Sequence, residues 1–207
     1  MALDTEEEQI EKIQRVWNNN KPLIITVIVV FLGLYFIYGI YADKKIKNTE
    51  QASQFYQEIL IEKITNIESI ENKVAILKKE SAETPYAARS SIYLSKIYSN
   101  EKRYKDAIKE LIWASDNASE ESIQSMAYYL LANLYFIEND FSAAMESANK
   151  IKSIGFQPLA NDIIGDIYLQ QGKKEEAKKS YLKSLKLHKG QGDIRKILQN
   201  KIDSIGQ

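Results

Sequence analysis

The side chains able to do chemistry in this chain are few, and their types narrow the choice quickly. One histidine, His188, closes a lysine-rich run, and no cysteine occurs in 207 residues. A lone histidine cannot build a histidine metal cluster, and without cysteine there is no thiolate ligand, disulfide, thiol nucleophile or lipid-modified anchor. Carboxylates are plentiful, 28 against 28 basic residues, but they lie on polar helix faces and no pair stands apart as an acid and base couple. His188 reads as favourable charge at a helix C-terminus. Gly190 and Gly192 in "KGQGD" read as plain loop, because no strand precedes them to make a phosphate cradle. "NAS" at Asn117 is a glycosylation pattern that arises often by chance. Glutamates interrupt "KKEEAKKSYLKSLKLHK", which marks a solvated helix face rather than an RNA or lipid patch. Lys12, Arg15 and Lys21 against Asp4, Glu6, Glu7, Glu8 and Glu11 leave the chain after Ala42 close to neutral, without the basic excess of a nucleic-acid binder. No catalytic residue, metal or cofactor is expected, and recognition is the chemistry that remains. Its candidates are Arg89, Ile92 and Lys96, then Tyr129, Asn133 and Phe136, then Asp162 and Asp166.

The elements that must position these residues come from internal repetition. "YLSKIYSNEKRYKDAIKELIWA", "LLANLYFIENDFSAAMESANKI" and "IIGDIYLQQGKKEEAKKSYLKS" align on a small residue, a tyrosine three positions on and an alanine nine further. The sets are Ser95, Tyr98, Ala107; Ala132, Tyr135, Ala144; and Gly165, Tyr168, Ala177. Four positions further stand Leu111, Ala148 and Tyr181. The small residue lets two helices approach, the tyrosine fills the space beside them, and the alanine lets the second helix pack close. This pattern resembles the tetratricopeptide repeat, a helix-turn-helix unit of about 34 residues. Thr49 to Thr84 should form one more, degenerate hairpin, and "IRKILQNKIDSI" a closing amphipathic helix that covers the last repeat. Stacked hairpins curve so that the first helix of each pair lines a concave face, which is where the candidates fall. Such a surface suits an extended or partly unfolded peptide, held by aromatic contacts and backbone hydrogen bonds. A clamp for a chain-terminal carboxylate is not expected, since Ile92 and Lys96 stand where lysine and asparagine would be needed.

Before the repeats, "PLIITVIVVFLGLYFIYGIYA" runs from Pro22 to Ala42 without a charge. As a helix it measures about 30 Å, the thickness of a bilayer's hydrocarbon core. Its acidic approach and its length do not fit a cleaved secretory signal. Trp17 on one side and Tyr35, Tyr38 and Tyr41 on the other fit the aromatic belts of a membrane interface. Pro22 suits a first helical turn. Lys12, Arg15 and Lys21 match Lys44, Lys45 and Lys47 in number, so charge does not choose an orientation. Upstream, Thr5 and Glu8 fit a capping box, and Ile10, Ile13, Val16 and Trp17 share one face of a short helix able to lie against headgroups.

Taken together, "EEEQIEKIQRVWNNNKP", the single span, "ADKKIKNTEQASQFYQEI", the degenerate repeats and "LQNKIDSI" resemble the YfgM family of ancillary subunits of the bacterial SecYEG translocon. Family members show paired tryptophans and a glycine before Lys-Pro, where this chain has Val16-Trp17 and Asn20. The resemblance implies an inner-membrane protein with a cytoplasmic N-terminus and a periplasmic repeat domain. It further implies a non-enzymatic role beside the translocon, with SecYEG, a PpiD-type periplasmic chaperone, emerging or unfolded chains and membrane lipid as partners, and no nucleic acid. The expected architecture is all-α: an amphipathic N-terminal segment over 1–21, a transmembrane helix over 22–42, and a repeat domain with a C-terminal cap over 43–207. Two rival functions remain open at the level of sequence. One is a cytosol-facing repeat receptor, as in organelle import; the other is an envelope hydrolase, which requires a concave acidic pair with one raised pKa.

Overall fold

Three prolines and eight glycines in 207 residues interrupt few helices. In the computed structural model, which describes residues 6–64, 66–188 and 192–205, every regular element among those residues is helical. In chain order these are α1 (Glu6–Ile61), α2 (Ile67–Glu80), α3 (Pro85–Asn100), α4 (Tyr104–Asn117), α5 (Glu121–Ile137), α6 (Phe141–Asn149), α7 (Gln157–Gln170), α8 (Lys174–Leu187) and α9 (Asp193–Ile205). A 3₁₀ turn, Ile154–Phe156, precedes α7. The chain divides into two units, Met1–Lys47 and Asn48–Gln207.

In the first unit α1 is one element where sequence suggested two. Thr5 of the expected capping box lies outside the described residues, and Pro22 sits inside the helix rather than in its first turn. An interior proline removes one backbone donor, the partner of the Asn18 carbonyl, yet helix continues on both sides. Nearby side chains bond back to the backbone: Asn20 Nδ2 donates to the Val16 carbonyl at 3.0 Å, and Thr26 Oγ1 to that of Pro22 at 2.9 Å. α1 is long and apolar enough to cross a membrane. Apart from half-buried Ile24, its large apolar side chains from Leu23 to Tyr41 are exposed, Phe31 at 74% and Tyr35 at 72%. Apolar surface on that scale is rare on a protein bathed only in water.

In the second unit the hairpins α3–α4, α5–α6 and α7–α8 follow one another, each packed on the next, and α9 packs on α8. The end of α1 and α2 form the degenerate first hairpin, with Ala52, Ile59, Ile70, Val74 and Leu77 buried in one core with α3 and α4. Ala132, Ala144, Ala148, Ile163 and Ile167 make a second cluster. Ala177, Tyr181, Leu198, Ile202 and Ile205 make a third, beneath α9.

The turn inside the hairpins α3–α4, α5–α6 and α7–α8 repeats to the atom. Arg103, Asp140 and Lys173 donate their N–H to the carbonyls of Tyr98, Tyr135 and Tyr168, at 2.8, 2.8 and 2.9 Å. Lys102, Asn139 and Gly172 donate to Ser99, Phe136 and Leu169, and all three have positive φ, at 61, 61 and 74°. This pairing is the Schellman motif, whose left-handed residue is easiest for glycine, tolerable for asparagine and strained for lysine. Lys102→Gly is therefore expected to stabilise the chain by about 0.5–1 kcal/mol after the added freedom of the unfolded chain is subtracted. Thermal unfolding of the full chain in detergent should show a midpoint about 2–3 °C higher. A lower midpoint would mean that the turn draws more from the lysine side chain than it loses in strain.

Candidate binding groove

α3 and α5 place one face each around a groove of about 760 Å³, with Tyr56 of α1 beside them. From α3 come Arg89, Ile92, Tyr93, Lys96 and Ser99, one row at helical spacing. From α5 come Ile123, Met126, Leu130, Asn133 and Ile137, a second row. Tyr56 of α1 and Phe156 of the 3₁₀ turn add aromatic rings to the lining. The lining is thus mainly aliphatic and aromatic, as in pockets that bury a ligand's apolar surface.

Of the residues singled out from sequence, Arg89, Ile92, Lys96 and Asn133 line this groove together. Tyr129 stands one position off the α5 row, with its ring 6.5 Å from that of Phe156. Phe136 packs on Phe141, centroid to centroid 5.7 Å, in the second core cluster. Asp162 and Asp166 are held elsewhere: Lys201 Nζ of α9 lies 2.7 Å from Asp162 Oδ1 and 2.7 and 2.9 Å from the two oxygens of Asp166. The Tyr181 hydroxyl donates to Asp166 Oδ1 at 2.7 Å. Trp17, Tyr35, Tyr38 and Tyr41 all lie exposed on α1.

Tyr93, Ile123, Met126, Leu130, Ile137 and Phe156 escaped the sequence reading. On α5, Leu130 and Ile137 stand one position from Tyr129 and Phe136, while Asn133 belongs to both rows. Phe156 has no helical signal, because it sits in a connection. α6 has only nine residues, and the segment after it folds back so that Lys152 and Ser153 donate their N–H groups to Ser125 Oγ.

The electrostatics are basic on the α3 side. Arg89 Nη2 is 3.3 Å from Glu120, both side chains about two-fifths exposed, while no carboxylate among the described residues pairs with Lys96. Burial pushes the Tyr56 phenol up, with Arg89 pulling the other way. Burial raises the Asp162 carboxyl, and Lys201 opposes the rise. An ammonium and a phenol occupy the pair Asp162 and Asp166, so its oxygens serve the cap. Among the described residues no group of three or more His, Asp or Glu could hold a metal ion.

A family model described as a tetratricopeptide repeat-like domain matches residues 14–207. Curated relatives carry the name ancillary SecYEG translocon subunit. The protein of Aggregatibacter actinomycetemcomitans is 28% identical, over 87% of this chain and 89% of its own. That of Neisseria gonorrhoeae is 27% identical, over 99% of this chain and 100% of its own. That of Escherichia coli is 20% identical, over 86% of each.

Proposed function

The chain belongs to the family of tetratricopeptide repeat-like domains, and from that premise we propose that it is a non-enzymatic, membrane-anchored interaction module ancillary to a SecYEG translocon. The groove lined by α3, α5 and Tyr56 of α1 carries this reading: it is large and mainly apolar, and it offers side chains for recognition. The names of the relatives support the translocon as the assembly. α1 is the anchor, with Trp17, Tyr35, Tyr38 and Tyr41 at the two lipid interfaces. The N-terminus faces the cytoplasm and the repeats face the periplasm, where a tether beside the exit site raises the local concentration of emerging chains. Weak groove binding then suffices to hold such a chain, or a PpiD-type chaperone that receives it.

The absence of native cysteine makes the test clean. Single cysteines at Ser142 and Ser180, both on the repeats, should react with a membrane-impermeant maleimide added to intact spheroplasts. Photo-crosslinking residues at Met126 and Ile137 in the same cells should give adducts to Sec subunits, a periplasmic chaperone or secreted chains. Labelling only after lysis would turn the repeats to the cytosol and overturn the topology. Adducts no different from those at Leu182, an exposed position outside the groove lining, would remove the groove from the function.

A further inference from the structure

The groove's own hydrogen bonding says what shape of chain it takes. Its α3 and α5 walls are helices, whose backbone N–H and C=O groups are satisfied within each helix except near the ends. Two of the polar side chains of the lining also bond back to their own helices. Ser95 Oγ donates to the Ile92 carbonyl at 2.7 Å, and Asn133 Nδ2 to the Tyr129 carbonyl at 2.7 Å. An extended segment would bring a bare amide edge to these walls and find few partners, and buried unpaired amides oppose binding. A helix closes its own backbone bonds and presents only side chains.

Charge complementarity selects among helices. The α3 rim carries Arg89, already engaged by Glu120, and Lys96, which meets no carboxylate among the described residues. The α5 wall from Ser122 to Ile137 runs about 22 Å, some four turns. We propose that the groove takes an amphipathic α-helix of a partner protein, about four turns long, with apolar residues at i, i+3, i+4 and i+7 and carboxylates along the edge that meets Lys96. This rests on the groove reading and narrows it to one conformation and one charge.

The test uses the full chain in lipid nanodiscs and fluorescent 18-residue peptides. One is an alanine-based helix with a leucine face and a glutamate edge. A second has lysine for glutamate, and a third carries two central prolines that break the helix. The glutamate helix is expected to bind at least tenfold tighter than the proline peptide. Lys96→Glu, on an exposed side chain without an ion-pair partner among the described residues, should weaken it by roughly three- to tenfold and favour the lysine helix instead. Met126→Glu, at a side chain 41% exposed, should abolish binding. Equal binding by the proline peptide would overturn the helical occupant while leaving the groove in use. Indifference to Lys96→Glu would overturn the acidic edge. Binding unchanged by Met126→Glu would take the site out of the groove, and the groove reading with it. Failure of every peptide would overturn the inference alone, since the cellular crosslinks judge the groove independently. Sedimentation that rises with chain concentration and is lost in Met126→Glu would give the groove to a second copy and overturn it likewise.

Discussion

Gly165→Ala is expected to destabilise the repeats by about 1–2 kcal/mol, although the same change at an open helical site gains about 1 kcal/mol. Gly165 is buried on α7 where α8 crosses. A Cβ there would lie 2.5 Å from Tyr181 Cδ1 and closer still to Cε1. The ring cannot swing aside, because Tyr181 is 0% exposed and its hydroxyl is bonded to Asp166. Overpacking of this kind costs about 1–3 kcal/mol and exceeds the propensity gain. The other hairpins show how the fold accommodates a Cβ at this position: Ser95 goes with Leu111, and Ala132 with Ala148, a smaller partner each time than tyrosine. Tyr181→Leu alone should cost about 2 kcal/mol through the lost ring and hydroxyl bond. Combining it with Gly165→Ala should cost little more, a coupling of about 1–2 kcal/mol. Denaturant unfolding of the four proteins measures it directly. Strict additivity would show that the contact is not what keeps glycine there.

The same pairs explain why the hairpins were legible in sequence. A small residue, a tyrosine and an alanine at fixed offsets are packing requirements, and Ala107, Ala144 and Ala177 are each 0% exposed. The offsets of 37 and 33 residues between repeats recur at the left-handed turn residues Lys102, Asn139 and Gly172, because one helix-turn-helix geometry generates both. Less legible was the junction of the N-terminal segment with the apolar stretch. Proline is a local signal for a helix start, and at Pro22 it competes with helix formers on both sides. One missing hydrogen bond is a small loss in a helix of 56 residues.

Legibility of the groove stopped at the level of a single residue. Helical periodicity gives a face about 100° wide, so Tyr129 and Met126 cannot be told apart until the partner helix is known. On α3 the choice of Arg89, Ile92 and Lys96 coincides with the groove lining; on α5 the lining row runs through Met126 and Leu130. Phe156 depends on α6 stopping at Asn149 and on the connection being pinned to Ser125, a long-range contact that no local pattern announces. Asp162 and Asp166 needed Lys201, 39 and 35 residues away. Sequence alone could not say that their charge belongs to the cap.

Lys201→Met is expected to cost about 2–3 kcal/mol at neutral pH, and the loss should shrink on acidification. Removing one member of a buried ion pair costs about 3–5 kcal/mol because its partners stay buried and charged. The lower figure follows from the 28% exposure of Lys201. In the native chain burial already holds the Asp162 carboxyl above its ordinary range, and Lys201 opposes the rise. Without the ammonium the folded-state pKa moves further above the unfolded value of about 3.9. A carboxyl raised in this way binds a proton on folding, so it favours the folded state below the unfolded pKa and loses that contribution as pH rises through the folded one. The gap between variant and native chain should therefore be widest near pH 7 and narrow toward about pH 4. Adding Asp162→Asn to Lys201→Met should recover part of the stability and flatten the pH dependence, since one of the two stranded charges is gone. A gap independent of pH would mean that Lys201 holds α9 through its contact with the Tyr181 ring, 5.2 Å from Nζ, rather than through charge. Unfolding curves at pH 4.5 and 7 separate the two. The outcome also fixes what the cap is: with Leu198, Ile202 and Ile205 buried against Tyr181, the ion pairs set the register in which that apolar face closes the last repeat.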